Sequence, residues 1–209
     1  MPQVLKEEVR ARILEAARAV MAQAGFEGAT MGAIGERAGL GAASLYRYYA
    51  SKEELFAAVV TPALAERFET LLDGRVRALA RRQAGAAGDD MGEDMLGFWL
   101  ENRLAVVILL DRAAGTPYAK FGERFVEQLT KHTLAEIRAA HPGAKVSPGA
   151  RFVLERIFEN TRRLLAAVLE QHADAAAMRE AIEGFWSYQV AGLEAFSRWV
   201  GEARPRRAR

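Results

Sequence analysis

Residues 31–56 read MGAIGERAGLGAASLYRYYASKEELF, and this stretch decides the fold. Thr30, directly before it, stands where the N-cap of a short helix belongs, because its hydroxyl oxygen accepts a hydrogen bond from a free amide of the first turn. Gly39 is placed to end that helix in the left-handed C′ conformation. A further short helix over about 41–48 follows after two or three residues. The spacing therefore predicts two short helices joined by a tight turn.

Longer helices flank this pair on both sides. Residues 5–24 place apolar side chains at steps of three and four, which is typical of an amphipathic helix, and Gly25 ends it. Ser51 and Glu54 have the spacing of a capping box, so a fourth helix begins there. That helix is expected to reach about residue 81, and Pro62 is expected to kink or break it.

The composition of the whole chain agrees with an all-α fold. Its 209 residues are 51% hydrophobic and 27% charged, as in an ordinary folded protein, and strand patterns are nearly absent. The chain has no cysteine, which excludes disulfides, thiolate catalysis and cysteine zinc sites. The sequence shows neither a signal peptide nor an apolar run long enough to span a membrane, so a cytoplasmic protein is expected.

Four more helices are expected after a loop at 81–92, at roughly 90–114, 117–140, 148–171 and 175–202. Thr116 and Ser147 are each an N-cap candidate followed by proline at the first helical position. The last seven residues carry four arginines and no acid. They are interpreted as a disordered tail or a non-specific phosphate contact. The chain is expected to divide into an N-terminal helical domain at 1–50, a larger helical domain at 51–203, and the basic tail at 204–209.

Two short helices braced by longer ones form a helix-turn-helix unit, whose second helix enters the major groove of DNA by its N-terminal part. Small residues lead this helix and let its backbone approach base edges closely: Gly41, Ala42 and Ala43. Hydrogen-bond donors at the height of the phosphates follow them: Ser44, Tyr46, Arg47 and Tyr48.

Residues 8–56 resemble the DNA-binding domain of the TetR family of bacterial transcriptional regulators. The stretch that carries the resemblance is ILEAARAVMAQAGFEGATMGAIGERAGLGAASLYRYYASKEELF, above all its last piece, SLYRYYASKEEL. In the family, a small hydroxyl residue, leucine and tyrosine are followed by an aromatic position, then by serine and lysine. The residues that match this pattern in register are Ser44, Leu45, Tyr46, Tyr49, Ser51 and Lys52.

The resemblance implies a role for each matched position. Thr30 caps the first helix of the unit and bonds a phosphate, while Ala42 and Ala43 lie against base edges. Tyr49 takes the place of the usual phenylalanine and belongs in the core. The remaining phosphate contacts are Ser44, Tyr46, Tyr48 and Lys52.

Two positions differ from this scheme. Arg47 stands where the family varies, so a base contact and a phosphate contact both stay open. Gly41 stands where serine or threonine is frequent, which removes one hydroxyl contact, although glycine is an acceptable N-cap.

The resemblance also implies a DNA-binding domain at 1–50 and an effector-binding and dimerisation domain at 51–203. The protein would then be a homodimer that binds a palindromic operator in double-stranded DNA and is released by a small-molecule effector. A repressor is expected rather than an activator, because the sequence has no obvious segment that contacts the polymerase. We expect no cofactor and no metal ion. A dimer fits because two recognition helices one DNA turn apart read a palindrome.

The sequence also bears on two other classes of protein, a helical adaptor and an enzyme. Residues 1–55 carry seven basic and seven acidic residues, so net charge gives little support, although Arg47 and Lys52 are the only charged residues between 40 and 52. A helical adaptor that contacts protein through the same unit is the alternative. An enzyme is not expected, because the three histidines are far apart and the sequence has no GxSxG elbow or glycine-rich phosphate loop.

The C-terminal helices carry two further predictions. The last helix is apolar over more than one face, and together with the helix at 148–171 it is expected to pair with its copy across a two-fold axis. The expected interface residues are Phe152, Leu164, Val168, Ile182, Trp186, Val190 and Leu193. The resemblance further implies that the helices at 90–140 enclose a ligand cavity, and an aromatic-rich lining would suit a hydrophobic or aromatic effector. Its candidate wall residues are Trp99, Asn102, Arg103, Val106, Leu110, Phe121, Phe125 and Phe158.

Overall fold

A computed structural model describes residues 3–83, 91–172 and 174–202, and every regular element within these ranges is helical. The all-α prediction is confirmed. The helices are α1 (Gln3–Gly28), α2 (Met31–Arg37), α3 (Ala42–Tyr46), α4 (Lys52–Val59), α5 (Pro62–Gln83), α6 (Met91–Val107), a π-helical turn (Ile108–Arg112), α7 (Phe121–Ala140), α8 (Pro148–Gln171) and α9 (Ala175–Glu202).

The predicted caps begin the helices as expected. Thr30 Oγ1 accepts the amide of Ala33 at 3.1 Å, and Ser51 Oγ accepts the amide of Glu54 at 3.1 Å. Ser147 Oγ accepts the amide of Ala150 at 3.1 Å, so α8 begins at Pro148 as predicted. Local sequence therefore sets these three helix starts.

The single long helix predicted after residue 51 is divided into two. At Val60 the backbone leaves the helical region, with φ −115° and ψ 85°, and α5 starts afresh at Pro62. Thr61 caps it, since its Oγ1 accepts the amide of Leu64 at 3.2 Å. Of the two expected effects of Pro62, a kink or a break, the structure shows the break.

Two other predicted boundaries differ from the structure. The regular part of α1 is interrupted at Gly25, which has φ 73°, but helical residues continue to Gly28. The expected cap at Thr116 accepts the amide of Tyr118 at 3.0 Å and closes a turn, so α7 begins four residues later than predicted, at Phe121. The predicted loop at 81–92 and the basic tail at 204–209 lie largely or wholly outside the described residues.

The helices pack around one continuous apolar cluster that runs from α1 to α9. α1 contacts α2, α4 and the π-helical turn, while α6 lies between α5 and α8. α7 packs on α8, and α9 contacts α8 and α7. Fully buried side chains such as Ile13, Phe68 and Leu110 each contribute about 1.5–3 kcal/mol. Because this cluster continues across residue 50, the boundary predicted there stays a prediction. None of the described helices is long and apolar enough to cross a membrane.

Candidate nucleic-acid interface

The turn between α2 and α3 is held by backbone hydrogen bonds. The amide of Leu40 donates to the carbonyl of Gly35 at 2.8 Å, and the amide of Gly39 donates to the carbonyl of Glu36 at 3.0 Å. Gly39 has φ +68°, the left-handed conformation that such a helix end requires and that glycine adopts without strain. The predicted C′ glycine is confirmed.

A second glycine lets the two short helices approach each other. A Cβ atom added at Gly35 would lie 3.0 Å from the carbonyl oxygen of Leu40 and 3.7 Å from the amide nitrogen of Ala42. Both neighbours are backbone atoms and have little freedom to move. Gly35 therefore fixes how closely the start of α3 approaches α2.

The leading end of α3 is small and open to solvent. Gly41 is the N-cap and has no side-chain capping bond, and Ala42 and Ala43 are exposed. Leu45 is fully buried and anchors the helix to the core. The α3 helix therefore presents a short backbone surface with two methyl groups, held in place from behind.

The three tyrosines after this end differ in solvent exposure, as predicted. Tyr46 is 53% exposed, Tyr48 is half-buried and Tyr49 is 8% exposed. Burial raises the pKa of the Tyr49 phenol. The core assignment of Tyr49 is therefore consistent with its position, and Tyr46 is free to reach outward. Ser44 is half-buried and Arg47, the C-cap of α3, is exposed.

Lys52 bonds the end of α1. Its Nζ donates to the backbone carbonyls of Phe26 at 2.7 Å, Ala29 at 3.0 Å and Glu27 at 3.3 Å, and it lies 4.4 Å from the centre of the Phe26 ring. All three ammonium hydrogens are thus directed to the C-terminal end of α1, where unpaired carbonyls attract a cation. In this arrangement Lys52 joins α4 to α1, and its contact with a phosphate stays a prediction.

Two arginines of α1 add positive charge beside the unit. Arg10 and Arg18 lie close enough to Tyr49 to oppose the rise in its phenol pKa. The sequence analysis did not single them out, although both belong to the amphipathic helix it predicted.

A wide cleft opens between α7, α8 and α9. Its volume is about 830 Å³, and Phe158, one of the predicted wall residues, lines it. A small apolar pocket of about 20 Å³ lies beside it and is lined by two further predicted residues, Trp99 and Phe125. The cleft and the pocket share Leu72, Leu129, Thr161 and Trp186.

The other predicted wall residues lie elsewhere. Val106, Leu110 and Phe121 are buried in the main core. Asn102 Nδ2 donates to the carbonyl of Phe98 at 3.0 Å, in its own helix. Arg103 reaches the C-terminal end of α8, where Nη1 donates to the carbonyl of Leu169 at 2.9 Å. None of the five lines the cleft or the pocket beside it, although Phe121 and Asn102 line smaller hollows elsewhere, so their assignment to a ligand wall stays a prediction.

The π-helical turn connects α8 with α1. Arg162 of α8 donates through Nη1 to the carbonyl of Leu110 at 2.6 Å and to the carboxylate of Asp111. Asp111 also accepts from Arg112 at 2.5 Å, and Arg112 Nε donates to the carbonyl of Ala22 on α1 at 3.2 Å. Hydrogen bonding to Glu159 raises the pKa of Arg162, which is largely buried. The sequence analysis missed this network, because its members lie far apart along the chain.

The predicted dimer residues divide into two groups. Phe152 is 60% exposed and Leu164 is 43% exposed, while Val168 is half-buried. Ile182 is buried inside the chain, and Trp186, Val190 and Leu193 line the cleft. The outer face of α9 instead carries Tyr188, 77% exposed, and Trp199, 55% exposed.

Comparison with known proteins agrees with this geometry. Residues 13–59 match the family model described as bacterial regulatory proteins, tetR family. Residues 13–59 are therefore similar to the tetR family of bacterial regulatory proteins, and the resemblance seen in the sequence is confirmed. No curated protein matches the chain significantly.

Several solved structures align with the chain, and the one from Chloroflexus aurantiacus shares its fold. A TetR family transcriptional regulator from Chloroflexus aurantiacus J-10-FL is 19% identical and has a TM-score of 0.53, with 96% of this chain and 93% of that chain covered. The fatty acid degradation regulator FadR from Bacillus halodurans is 14% identical over 84% of this chain and 95% of that chain, with a TM-score of 0.37. NalD of Pseudomonas aeruginosa, described as the secondary repressor of the MexAB-OprM multidrug efflux pump, is 17% identical over 87% of this chain and 96% of that chain, with a TM-score of 0.35.

The family match and the fold together support a DNA-binding transcriptional regulator: a helix-turn-helix domain followed by a larger helical domain. Within the described residues, no group of three histidine or acidic side chains is arranged to hold a metal ion.

Proposed function

We propose that the chain is a dimeric repressor that binds a palindromic operator through α3 and is released from it by a small molecule. The observation that carries the DNA contact is the exposed leading end of α3, with Ala42 and Ala43 outward and Leu45 fixed in the core. A short helix held in this way has the placement that insertion into a major groove needs.

The chemistry of this surface suggests how it reads DNA. Methyl groups at Ala42 and Ala43 can contact the thymine methyl group but offer no side-chain hydrogen bonds to bases. Phosphate contacts are assigned to Thr30, Ser44, Tyr46 and Tyr48, and Arg47 is free for a base or a phosphate. Specificity then rests on apolar contacts, on Arg47 and on the shape of the DNA.

Dimerisation is assigned to the outer faces of α8 and α9. Along α9, Gly184, Tyr188, Gly192, Ala195 and Trp199 recur at steps of three and four and are all exposed. The small residues allow close approach of a second helix, and the aromatic ones supply apolar area that a soluble monomer rarely leaves uncovered. Phe152 and Leu164 of α8 extend this face.

The effector site is assigned to the cleft between α7, α8 and α9. Its volume of about 830 Å³ suits a drug-sized molecule, and most of its lining is apolar. Trp186 and Phe158 supply aromatic surface there, in keeping with a hydrophobic or aromatic effector.

The π-helical turn offers a route from this site to the DNA-binding domain. α8 forms one wall of the cleft and carries Arg162, which bonds the turn, and Arg112 of the turn bonds the end of α1. Lys52 holds the same end of α1 from the side of α4. A shift of α8 is therefore passed to α1, and the spacing of the two recognition helices changes with it.

Selection of duplex DNA from a random pool by the purified protein tests the proposal. Enrichment of one palindrome supports a sequence-specific DNA-binding protein. Its affinity should fall as the salt concentration rises, because neutralising phosphates releases counterions. Failure to enrich any site, or binding that is indifferent to salt, favours the adaptor instead. If a site is enriched but no compound that binds the cleft lowers the affinity for it, only the effector coupling is refuted.

A further inference from the structure

The cleft between α7, α8 and α9 continues into the interior of the protein. Four residues line both the cleft and the apolar pocket beside it: Leu72, Leu129, Thr161 and Trp186. The pocket holds about 20 Å³ of space, and beyond the shared residues its walls include Trp99, Phe125 and Ile182. Because this pocket has room for about one water molecule, the space for a ligand lies in the cleft itself. Half-buried Trp186 lines both parts.

Glu136 lies on the α7 wall of the cleft and is half-buried. Burial raises the pKa of its carboxyl group, against the opposing effect of His132 one turn earlier. Within the described parts of the chain, no lysine or arginine pairs with it. Partly buried acids on α8 differ, since Glu159 binds Arg162 at 2.7 Å and Glu155 binds Arg151 at 2.9 Å. Glu136 thus keeps an unpaired negative charge against an apolar surface, which costs free energy.

We propose that the cleft binds an amphiphilic cation, whose charged group lies beside Glu136 and whose apolar part lies along Trp186 and Phe158. The proposal rests on the effector site assigned above and names the class of ligand for it. A cation there would pair with the partly desolvated carboxylate, while its apolar part would fill space that the protein leaves open.

The charges around the cleft favour a cation over an anion. Three ionisable side chains line it, the carboxylates of Glu136 and Glu194 and the guanidinium of Arg198, so the lining has one negative charge in excess. Glu194 and Arg198 are exposed on α9 and well hydrated, whereas Glu136 is the half-buried one. An anionic amphiphile would place its charge beside Glu136 and meet repulsion.

Binding of three probes with the same chain length tests the proposal: decyltrimethylammonium, decanol and decyl sulfate, each below its micelle concentration. The signal is the fluorescence of Trp99 and Trp186. The variant is Glu136→Gln, which removes the charge and keeps the size of the side chain. Glu127→Gln is the matched control, because Glu127 lies on the same helix, is exposed and does not line the cleft.

The proposal expects saturable binding of decyltrimethylammonium to the dimer, weakened about tenfold by Glu136→Gln and unchanged by Glu127→Gln, as for one partly screened charge pair. Decanol should bind both variants alike, and decyl sulfate should bind more tightly once the charge is removed. Equal effects of the two substitutions, tighter binding of the anion to the unmodified protein, or loss of cation binding when the dimer forms would each overturn it. Operator binding is measured separately, so a failure here leaves the DNA-binding proposal standing, and a failure to bind DNA leaves this result intact.

Discussion

Replacing Lys52 with methionine tests the position of this residue between α4 and α1. The substitution keeps the length and apolar stem of the side chain but removes an ammonium that donates to the carbonyls of Phe26, Glu27 and Ala29. Hydrogen bonds from a charged donor contribute about 1.5–3 kcal/mol after the cost of dehydrating the ammonium. A cation at a helix C-terminus adds about 0.3–1 kcal/mol and its contact with the Phe26 ring about 0.5–1 kcal/mol. Because Lys52 is partly exposed, we expect a loss of about 2–3 kcal/mol.

Thermal unfolding measures this loss directly. For a protein of this size, 1 kcal/mol shifts Tm by about 2–4 °C, so Lys52→Met should lower Tm by about 5–10 °C. Lys6→Met is the control, since Lys6 is exposed on α1 and has no hydrogen bond or ion pair within the described residues. If Tm is the same in both variants while operator affinity falls and its salt dependence weakens in Lys52→Met alone, then Lys52 is a phosphate contact and the structural reasoning is wrong.

Three further changes are expected to act on separate parts of the protein. Tyr46→Phe should weaken binding to every operator by about 1 kcal/mol in a DNA titration, without changing the preferred sequence. A changed sequence preference would instead place Tyr46 at a base. Gly39→Ala forces a side chain into φ +68° and should lower the free energy of unfolding by about 1 kcal/mol, and an unchanged value would contradict the turn. Hydrogen bonding to Arg162 lowers the pKa of Glu159 below its ordinary 4.5, so its stabilisation is present above that pH and lost as pH falls through the lowered pKa. Denaturant titrations should therefore show Glu159→Gln less stable than the unmodified protein by about 1 kcal/mol at neutral pH and nearly equal to it in acid; a gap that persists in acid would contradict the ion pair.

The helix-turn-helix unit could be predicted from sequence because its determinants are local. Thr30 and Ser51 cap helices by bonding amides three residues ahead, and Gly39 ends α2 through its own backbone conformation. Such interactions depend on neighbours along the chain. The assignment of Tyr49 to the core came from the resemblance, in which phenylalanine is usual at this position.

Contacts between distant segments could not be predicted. The partners of Lys52, the carbonyls at the end of α1, are more than twenty residues away along the chain. The end of α8 that Arg103 bonds is contributed by residues near 170. Helix periodicity predicts which residues are apolar but not which helix each face meets, so it did not predict that Ile182 is buried within its own chain.

The π-helical turn was not predicted from the sequence, for a related reason. The sequence from 104 to 112 reads as an ordinary apolar helix, and the wider turn is recognisable only with Arg162 against the carbonyl of Leu110 and Arg112 against α1. Such turns often occur at functional sites. Glu136 was not singled out for the same reason, because its burial depends on α9.

The most direct test of the central claim is an anisotropy titration of the purified protein on its selected operator duplex over a series of salt concentrations. It compares the unmodified protein with Ala43→Glu, which places a negative charge on the exposed leading end of α3 and leaves the core untouched. We expect tight binding that weakens steeply with salt for the unmodified protein and a loss of affinity of at least about a hundredfold for Ala43→Glu. Equal affinity of the two proteins for the operator would contradict the claim that α3 enters the major groove.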